Sequence, residues 1–420
     1  MPDFPTPSAS PTPVKFKNES DGETQIERER GAASSITIDQ ALAFAEQNSP
    51  LLLRGMASVE GSQAGVRTAK AYTNPTVDFL VGHQAARPIA TPGVPGLLQH
   101  YGAGQTIEIP SERRSRILAS QLQLQADRYL LAAIRLSVVA DVKRAFYEVV
   151  HRKEQLANAK DNLVLVEDLR RRVSVEVQVG EKGKLELTRA EAELARARAA
   201  VNSADVAVAS ARAMLKAVMG APANQSFDTQ GAAVDRTDLA PLPELRQQVF
   251  ANHPALAEAD SRIAQSKSVV DNERAKRIPQ PTVSGEYERQ PDQTFFRLGV
   301  TVPLPIWDKR KGPIAEAQAA VKRSEADARQ RQLEIMAALE RSYDQYEIND
   351  QQVQSIQASL REAEAAVEAA RSAYRFGERG IVEVLDAQRV LQGVRTDLLD
   401  ALFARQSALI DLEELGATHQ

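Results

Sequence analysis

The chain contains no cysteine. Disulfides, thiolate metal sites and cysteine nucleophiles are therefore excluded, and a lipid anchor on an N-terminal cysteine is not expected. Aromatic residues make up only 5% of the 420 residues, and tryptophan occurs once. With alanine abundant, that shortage favours long helices over a compact sandwich or barrel enzyme. The five histidines (His83, His100, His151, His253, His419) are scattered, without metal-ligand spacing. An excess of one charge is missing too: 52 Lys and Arg against 56 Asp and Glu leave a net charge of -4, with no basic surplus for nucleic acid. No run approaches the ~18 apolar residues of a membrane-spanning helix. The opening stretch, MPDFPTPSASPTPVKFKNESDGE, has no apolar h-region, so it does not read as a signal peptide. Its Pro, Ser and Thr content reads as disorder over residues 1–36. Phosphate loops, nucleophile elbows and zinc-helix motifs are absent.

What is present is a duplication. Ala69-Lys70-Ala71-Tyr72-Thr73-Asn74-Pro75-Thr76-Val77 matches Ala275-Lys276-Arg277-Ile278-Pro279-Gln280-Pro281-Thr282-Val283 at an offset of 206. Gly104-Gln105-Thr106-Ile107-Glu108-Ile109-Pro110 matches Gly299-Val300-Thr301-Val302-Pro303-Leu304-Pro305 at 195, and Gly180-Glu181-Lys182-Gly183 matches Gly377-Glu378-Arg379-Gly380 at 197. Three matches in order at similar offsets indicate two copies of one unit. The copies span residues 37–220 and 246–416, joined by an irregular segment at 221–245 and followed by a tail at 417–420.

Each copy reads as helix, strand, loop, strand, very long helix, glycine turn and long helix. In the first copy Ser49 is the expected N-cap of a helix with Pro50 at its first position, ending near Tyr72. Strands are expected at 75–84 and 97–110, and helices at about 111–179 and 184–219. In the second, Pro254 opens a helix to about Arg277, strands occupy 281–290 and 294–305, and helices about 313–376 and 381–415. Leu187, Ala190, Leu194, Ala197, Val201, Ala204, Val208, Ala211, Leu215 and Val218 alternate steps of three and four, a heptad seam. Adding 197 gives Val384, Ala387, Leu391, Val394, Leu398, Ala401, Arg405, Ala408, Leu412 and Leu415, with only Arg405 polar. At ~1.5 Å per residue the helix at 111–179 spans roughly 100 Å, and two shorter helices stacked end to end nearly match it. Those dimensions suit a tube or rod.

The strands alternate. Tyr101, Ala103, Ile107 and Ile109 share one face, interrupted by Gln105, opposite His100, Gly102, Gly104, Thr106 and Glu108. Phe296, Leu298, Val300, Val302 and Leu304 oppose Arg297 and Thr301; Val77, Phe79 and Val81 oppose Asp78; Val283 and Tyr287 oppose Glu286 and Glu288. Strands of about ten residues, apolar on one face and polar on the other, match transmembrane barrel strands. Trp307 lies just past a strand end, where an interfacial anchor belongs. Basic clusters follow the strands at Arg113, Arg114, Arg116 and at Lys309, Arg310, Lys311. Four strands cannot enclose a channel; twelve from three chains can. An ordinary half-buried soluble sheet is the plainer alternative.

Tyr374-Arg375-Phe376-Gly377-Glu378-Arg379-Gly380-Ile381-Val382-Glu383-Val384-Leu385-Asp386-Ala387 resembles the second helix-tip segment of the TolC family, the outer-membrane factors of bacterial tripartite pumps. Val302-Pro303-Leu304-Pro305-Ile306-Trp307-Asp308-Lys309-Arg310 is similar to the heavy-metal efflux branch, and the resemblance covers about 37–416. It implies an α+β fold: long antiparallel coiled-coil helices forming an α-barrel tunnel, with four strands contributed to a twelve-stranded trimeric transmembrane β-barrel. It implies a homotrimer in outer-membrane lipid with a periplasmic extension. The implied partners are a periplasmic adaptor and an inner-membrane pump of the resistance-nodulation-division type; no catalysis, cofactor or metal site is implied. Family gate residues fall on Glu186, Tyr374, Arg379, Glu383 and Asp386.

Arg379 is expected to pair with Glu186 across neighbouring helices and hold a constriction shut. Glu383 and Asp386, three apart on one helical face, become six like charges around a threefold axis and favour cations. Solvated tip charges are the plainer reading. Gly180, Gly183, Gly377 and Gly380 supply tight turns and room for adaptor docking. Acidic pairs elsewhere read as i,i+4 partners of Lys and Arg rather than general acids. Met214 and Met219 read as core, with a soft copper site the lesser alternative. The functional expectation is a passive exit duct, heavy-metal cations first and organic toxicants next. A soluble coiled-coil scaffold is the competing class; it leaves the four alternating strands unexplained. A periplasmic adaptor would carry one hairpin with lipoyl-like modules, not a duplication.

Overall fold

The computed structural model describes residues 34–85, 95–222, 224–225, 227–231 and 236–417. Of the stretch 1–36 read as a disordered start, residues 1–33 lie outside the described residues, while Ser34–Ile36 are a strand and not disordered; of the tail at 417–420, residues 418–420 lie outside them. In chain order the elements are β1 (Ser34–Ile36), α1 (Ile38–Asn48), α2 (Pro50–Lys70), β2 (Thr76–Gln84), β3 (Gly96–Thr106), α3 (Pro110–Gln178), α4 (Lys184–Met219), β4 (Phe227–Thr229), α5 (Leu242–Asn252), α6 (Pro254–Ala275), β5 (Thr282–Arg289), β6 (Thr294–Thr301), α7 (Lys311–Arg375) and α8 (Ile381–Glu414). None of the described helices is long and apolar enough to cross a membrane, which says nothing of a β-barrel.

The duplication is visible element by element. Each half opens with an eleven-residue helix, α1 or α5, that the hydrophobic pattern did not reveal. Both end against a proline that starts the next helix, at Ser49-Pro50 and His253-Pro254. A residue before proline is driven from the α region, and Ser49 (ψ 121°) and His253 (ψ 122°) are both extended. The Ser49 side chain makes no capping bond, contrary to expectation. Its amide instead donates to the Ala45 carbonyl at 2.8 Å, closing α1, while Pro50 needs no donor. The segment expected to be irregular between the copies carries β4, which pairs in parallel with β1. There the Thr237 amide donates to the Tyr346 hydroxyl at 2.9 Å, and that hydroxyl donates to the Thr237 carbonyl at 2.6 Å.

The long helices carry most of the packing. All twenty seam positions, running along α4 and α8 to the C-cap residue Leu415, are buried or half-buried. The polar exception, Arg405, is buried and donates to the buried Asp350 on α7 at 3.0 Å; breaking such a pair strands the remaining charge. Two larger cores lie where α1 and α5 cross the long helices. One gathers Leu52, Val142, Phe146, Leu215, Met219 and Phe227; the other gathers Leu245, Val249, Leu339, Tyr346, Leu409 and Leu412. Met219 is core as expected, but Met214 is exposed, because it falls one position short of the seam residue Leu215. Gly220 ends α4 in the left-handed region at φ 74°, and a Cβ there would overlap the Asn48 carbonyl oxygen.

The four long strands form one antiparallel sheet in the order β2-β3-β5-β6. The two halves of the chain meet at β3–β5, and β2 and β6 are left as open edges. Two strands stop sooner than expected, β3 at Thr106 and β6 at Thr301. Pro303, Pro305 and Pro110 supply no ladder donors beyond those points. Ile107 still donates to the Pro281 carbonyl at 2.8 Å, so the sheet tapers into the helices.

Candidate functional site: a path between an acidic helix tip and a barrel wall

At one end of the molecule are the two helix turns. Gly180 (φ 84°) and Gly377 (φ 74°) adopt the left-handed conformation. Glu181 donates to the Glu176 carbonyl at 2.9 Å and Glu378 to the Ala373 carbonyl at 3.0 Å, the six-residue closure of a glycine C-cap, made twice. Gly183 and Gly380 differ: they are extended residues that begin α4 and α8. A Cβ at Gly180, Gly183 or Gly377 would meet nothing within 4 Å, so open space surrounds these glycines. Behind the turns Val173, Ala190, Ile381 and Leu385 form a small core that fixes α3, α4 and α8 together.

The five expected gate residues fall into two groups. Tyr374 is tied down: its hydroxyl donates to Glu176 of α3, and Lys182 lies 5.3 Å from its ring centroid. Burial, then the bond to Glu176 and the nearby charge of Glu186, push the Tyr374 phenol well above its usual range. The other four are not joined to one another within the chain. Arg379 is exposed, and among the described residues it makes no ion pair with Glu186. One Glu186 carboxylate oxygen is buried without a hydrogen-bond partner. Glu383 and Asp386 are exposed, and Asp386 pairs with Arg389 at 3.1 Å. Arg389 also reaches Glu193 on α4 at 2.8 Å, and that bond raises its pKa. Glu176, Glu193 and Arg389 were missed in the sequence: Glu176 and Glu193 lie on other helices, where spacing gives no signal, whereas Arg389 follows Asp386 by three residues on α8, a spacing that could have found it. Beside this cluster a groove of about 510 Å³ runs between α3, α7 and α8, lined by Asp168, Arg172, Glu176, Arg371, Tyr374 and Gln388.

At the other end the sheet has two unlike faces. Phe79, Tyr101, Tyr287 and Phe296 are aligned in one row across all four strands. The Phe79 and Tyr101 rings are 4.9 Å apart and Tyr101 and Tyr287 6.2 Å apart. Leu298, 77% exposed, and Val77, 81% exposed, lie on that same face. An exposed apolar face of this kind has no place in water. The opposite face carries Asp78, His100, Glu286, Glu288 and Arg297. His100 Nε2 is 2.9 Å from an Asp78 carboxylate oxygen, and Arg297 bridges Glu288 and Glu286, the latter at 3.5 Å. Gly102 stands where any Cβ would collide with Asp78. Trp307, 93% exposed, follows the sheet edge, and the path holds no group of His, Asp and Glu suited to a resident metal among the described residues.

Residues 41–221 and 245–417 match the family described as outer membrane efflux protein. The chain belongs to this family: it is an outer-membrane exit channel of a tripartite efflux system, a passive duct and not an enzyme. Members work with a periplasmic adaptor and an inner-membrane pump. Among individual relatives, the cobalt-zinc-cadmium resistance protein CzcC of Cupriavidus metallidurans is 24% identical over 392 residues, covering 92% of this chain and 91% of that one. The pyoverdine export outer membrane protein OpmQ of Pseudomonas aeruginosa is 22% identical over 400 residues, covering 89% and 84%. The crystal structure of the Campylobacter jejuni CmeC outer membrane channel superposes with a TM-score of 0.79 at 16% identity, covering 99% of this chain and 93% of that one. The fold is therefore the expected one, a helical tunnel with four strands given to a trimeric barrel. The soluble scaffold and adaptor alternatives fall.

Proposed function

We propose that this duct carries divalent heavy-metal cations, handed over by a resistance-nodulation-division pump through its adaptor, and that Trp307 anchors it at the lipid interface. The observation that carries the reading is the placing of exposed carboxylates at both ends of the path. At the tip, Glu383 and Asp386 are exposed and one turn apart near the start of α8. On the polar face of the sheet three carboxylates, Asp78, Glu286 and Glu288, accompany Arg297. Repeated three times around an axis, such groups lower the energy of a passing cation and raise that of an anion. The similarity to CzcC points the same way. The similarity to OpmQ favours export of organic compounds as the second reading.

The tip works as a gate in this reading. The Tyr374–Glu176 bond ties α7 to α3 within a chain. Exposed Arg379 and the unpartnered buried oxygen of Glu186 complement one another between neighbouring chains of a closed trimer. Opening separates them, and the adaptor hairpins approach over Gly180, Gly183, Gly377 and Gly380. The repeats at 37–220 and 246–416 each build half of one chain's share of the wall, with the segment 221–245 at its waist. The test is electrical. In planar bilayers under a salt gradient the channel should show a cation-selective reversal potential, and Glu383→Gln with Asp386→Asn should move it toward zero. Anion selectivity, or no change in the variant, would overturn the cation reading. In cells lacking their own duct, the chain with a matching pump and adaptor should restore zinc or cobalt tolerance; restored tolerance of organic compounds alone would favour the second reading.

A further inference from the structure

The join between sheet and tunnel is charged unlike the rest of the chain. Residues 67–73, 107–116, 271–280 and 302–311 carry eleven Lys and Arg against five Asp and Glu, in a chain whose net charge is -4. These segments converge. Arg113 donates to the Lys70 carbonyl at 2.8 Å, Ser115 to Asn272 at 3.3 Å, and Arg310 to Glu273.

The acids there are already committed. Glu108 is held by Arg113 and Arg116, Glu273 by Lys276 and Arg310, and Asp271 by Arg274. Glu112 accepts from Gln280, and Asp308 accepts from the Arg310 amide at 2.7 Å. The cations are therefore in surplus, and they lie next to Trp307, the most exposed large hydrophobic residue among the described residues.

The corner that presents them is a built one. Arg310 occupies the left-handed region at φ 54°, unusual for a side-chain-bearing residue, and its amide bond to Asp308 and its ion pair with Glu273 hold it there. Trp307, Lys309 and Lys311 are all exposed at this corner, and in the chain they follow the exposed apolar residues Leu304 and Ile306. Among the described residues neither lysine makes an ion pair.

We infer that this corner binds the headgroups of anionic phospholipids in the periplasmic leaflet, with the Trp307 indole at the interface and the Lys309 and Lys311 ammonium groups on the phosphates. The inference rests on the sheet being embedded in lipid, which places the helix-side ends of β2, β3, β5 and β6 at the periplasmic surface. An indole is amphipathic and settles at headgroup depth. A flexible lysine reaches past it to phosphate and gains from an anionic surface. A zwitterionic headgroup offers the same phosphate but cancels it with its own cation, so net negative lipid is the preferred class.

The full chain, purified as its oligomer and placed in vesicles of phosphatidylcholine with or without phosphatidylglycerol, tests this. Phosphatidylglycerol should raise the thermal unfolding midpoint of the wild type, and added salt should erode the gain. Lys309→Gln with Lys311→Gln should remove most of the gain, and native mass spectrometry should find retained phosphatidylglycerol reduced about fivefold for each lysine lost. Lys160→Gln with Arg361→Gln removes the same charge far down the tunnel and should keep the full gain. A double lysine variant that behaves as wild type overturns the inference. Because Trp307 is the only tryptophan, its fluorescence separates the two possible failures. Quenching by headgroup-brominated lipid without any phosphatidylglycerol effect sinks the lipid class alone; no quenching by any brominated lipid sinks the membrane placement and the inference with it.

Discussion

The two ends of this chain treat apolar residues in opposite ways. In the helical body the core and seam side chains are hidden, Leu215, Leu339 and Leu412 each at most 1% exposed, while single residues such as Val206, Leu333 and Ile348 stand out on the outer faces. In the sheet, Val77, Phe79, Phe296, Leu298 and Val300 all stand more than half exposed. The polar groups invert as well. The sheet keeps its ion pairs on one face, while the helices spread theirs around an apolar seam. The helical body is folded against water and itself; the sheet is folded against lipid. A single polypeptide thus contains two solvents' worth of patterning, and the join between them is where its cations gather.

Mutations should separate the two regimes. The largest effect is expected for Leu339→Ala in the second core, which should cost about 2–5 kcal/mol, measured by chemical unfolding in detergent; Leu298→Ala should change little there. Leu298→Arg should reverse that ranking in lipid, costing ~2–4 kcal/mol if the residue lies near the bilayer midplane, while Arg297→Leu one position away should be tolerated by the barrel. Equal cost for the two arginine-and-leucine exchanges would erase the distinction between the faces. Gly220→Ala should cost about 1–3 kcal/mol through strain and the overlap with Asn48, read as a lower unfolding midpoint.

Smaller effects are expected at the tip and the waist. Tyr374→Phe removes the bond to Glu176 and should raise single-channel conductance with little loss of stability; unchanged conductance would deny it a latch role. The pH dependence follows from two histidines. Burial depresses His151, with Asp400 opposing, and burial with Arg331 nearby depresses His253, both from 6.5. The unfolded chain then binds protons first, so stability is present above pH 6.5 and declines as pH falls. His253→Asn keeps a helix-capping acceptor and should flatten that decline.

How much of this was legible beforehand depends on the range of the signal. The seam from Leu187 to Val218 and its copy were readable because heptad spacing is local, and the structure buries or half-buries every member. The strands were readable for the same reason, but the aromatic row was not, since it exists only once register aligns Phe79 with Tyr101, Tyr287 and Phe296. The helices α1 and α5 were missed because eleven residues give only three turns of pattern, although Asn48-Ser49-Pro50 and Asn252-His253-Pro254 mark their ends. At the tip the motif located Tyr374 but not its partner: Glu176 precedes the turn, and the choice between it and Glu186 is made by how α3 and α7 lie against each other.

The account depends most on the open sheet edges being closed by sister chains. The natural absence of cysteine gives a clean background for testing it. Single cysteines placed in turn along β2 and β6, paired within one chain and oxidised in membranes, should yield covalent products that stop at three chains. A ladder that ends at monomer, or that continues past three, would contradict the closed twelve-stranded wall.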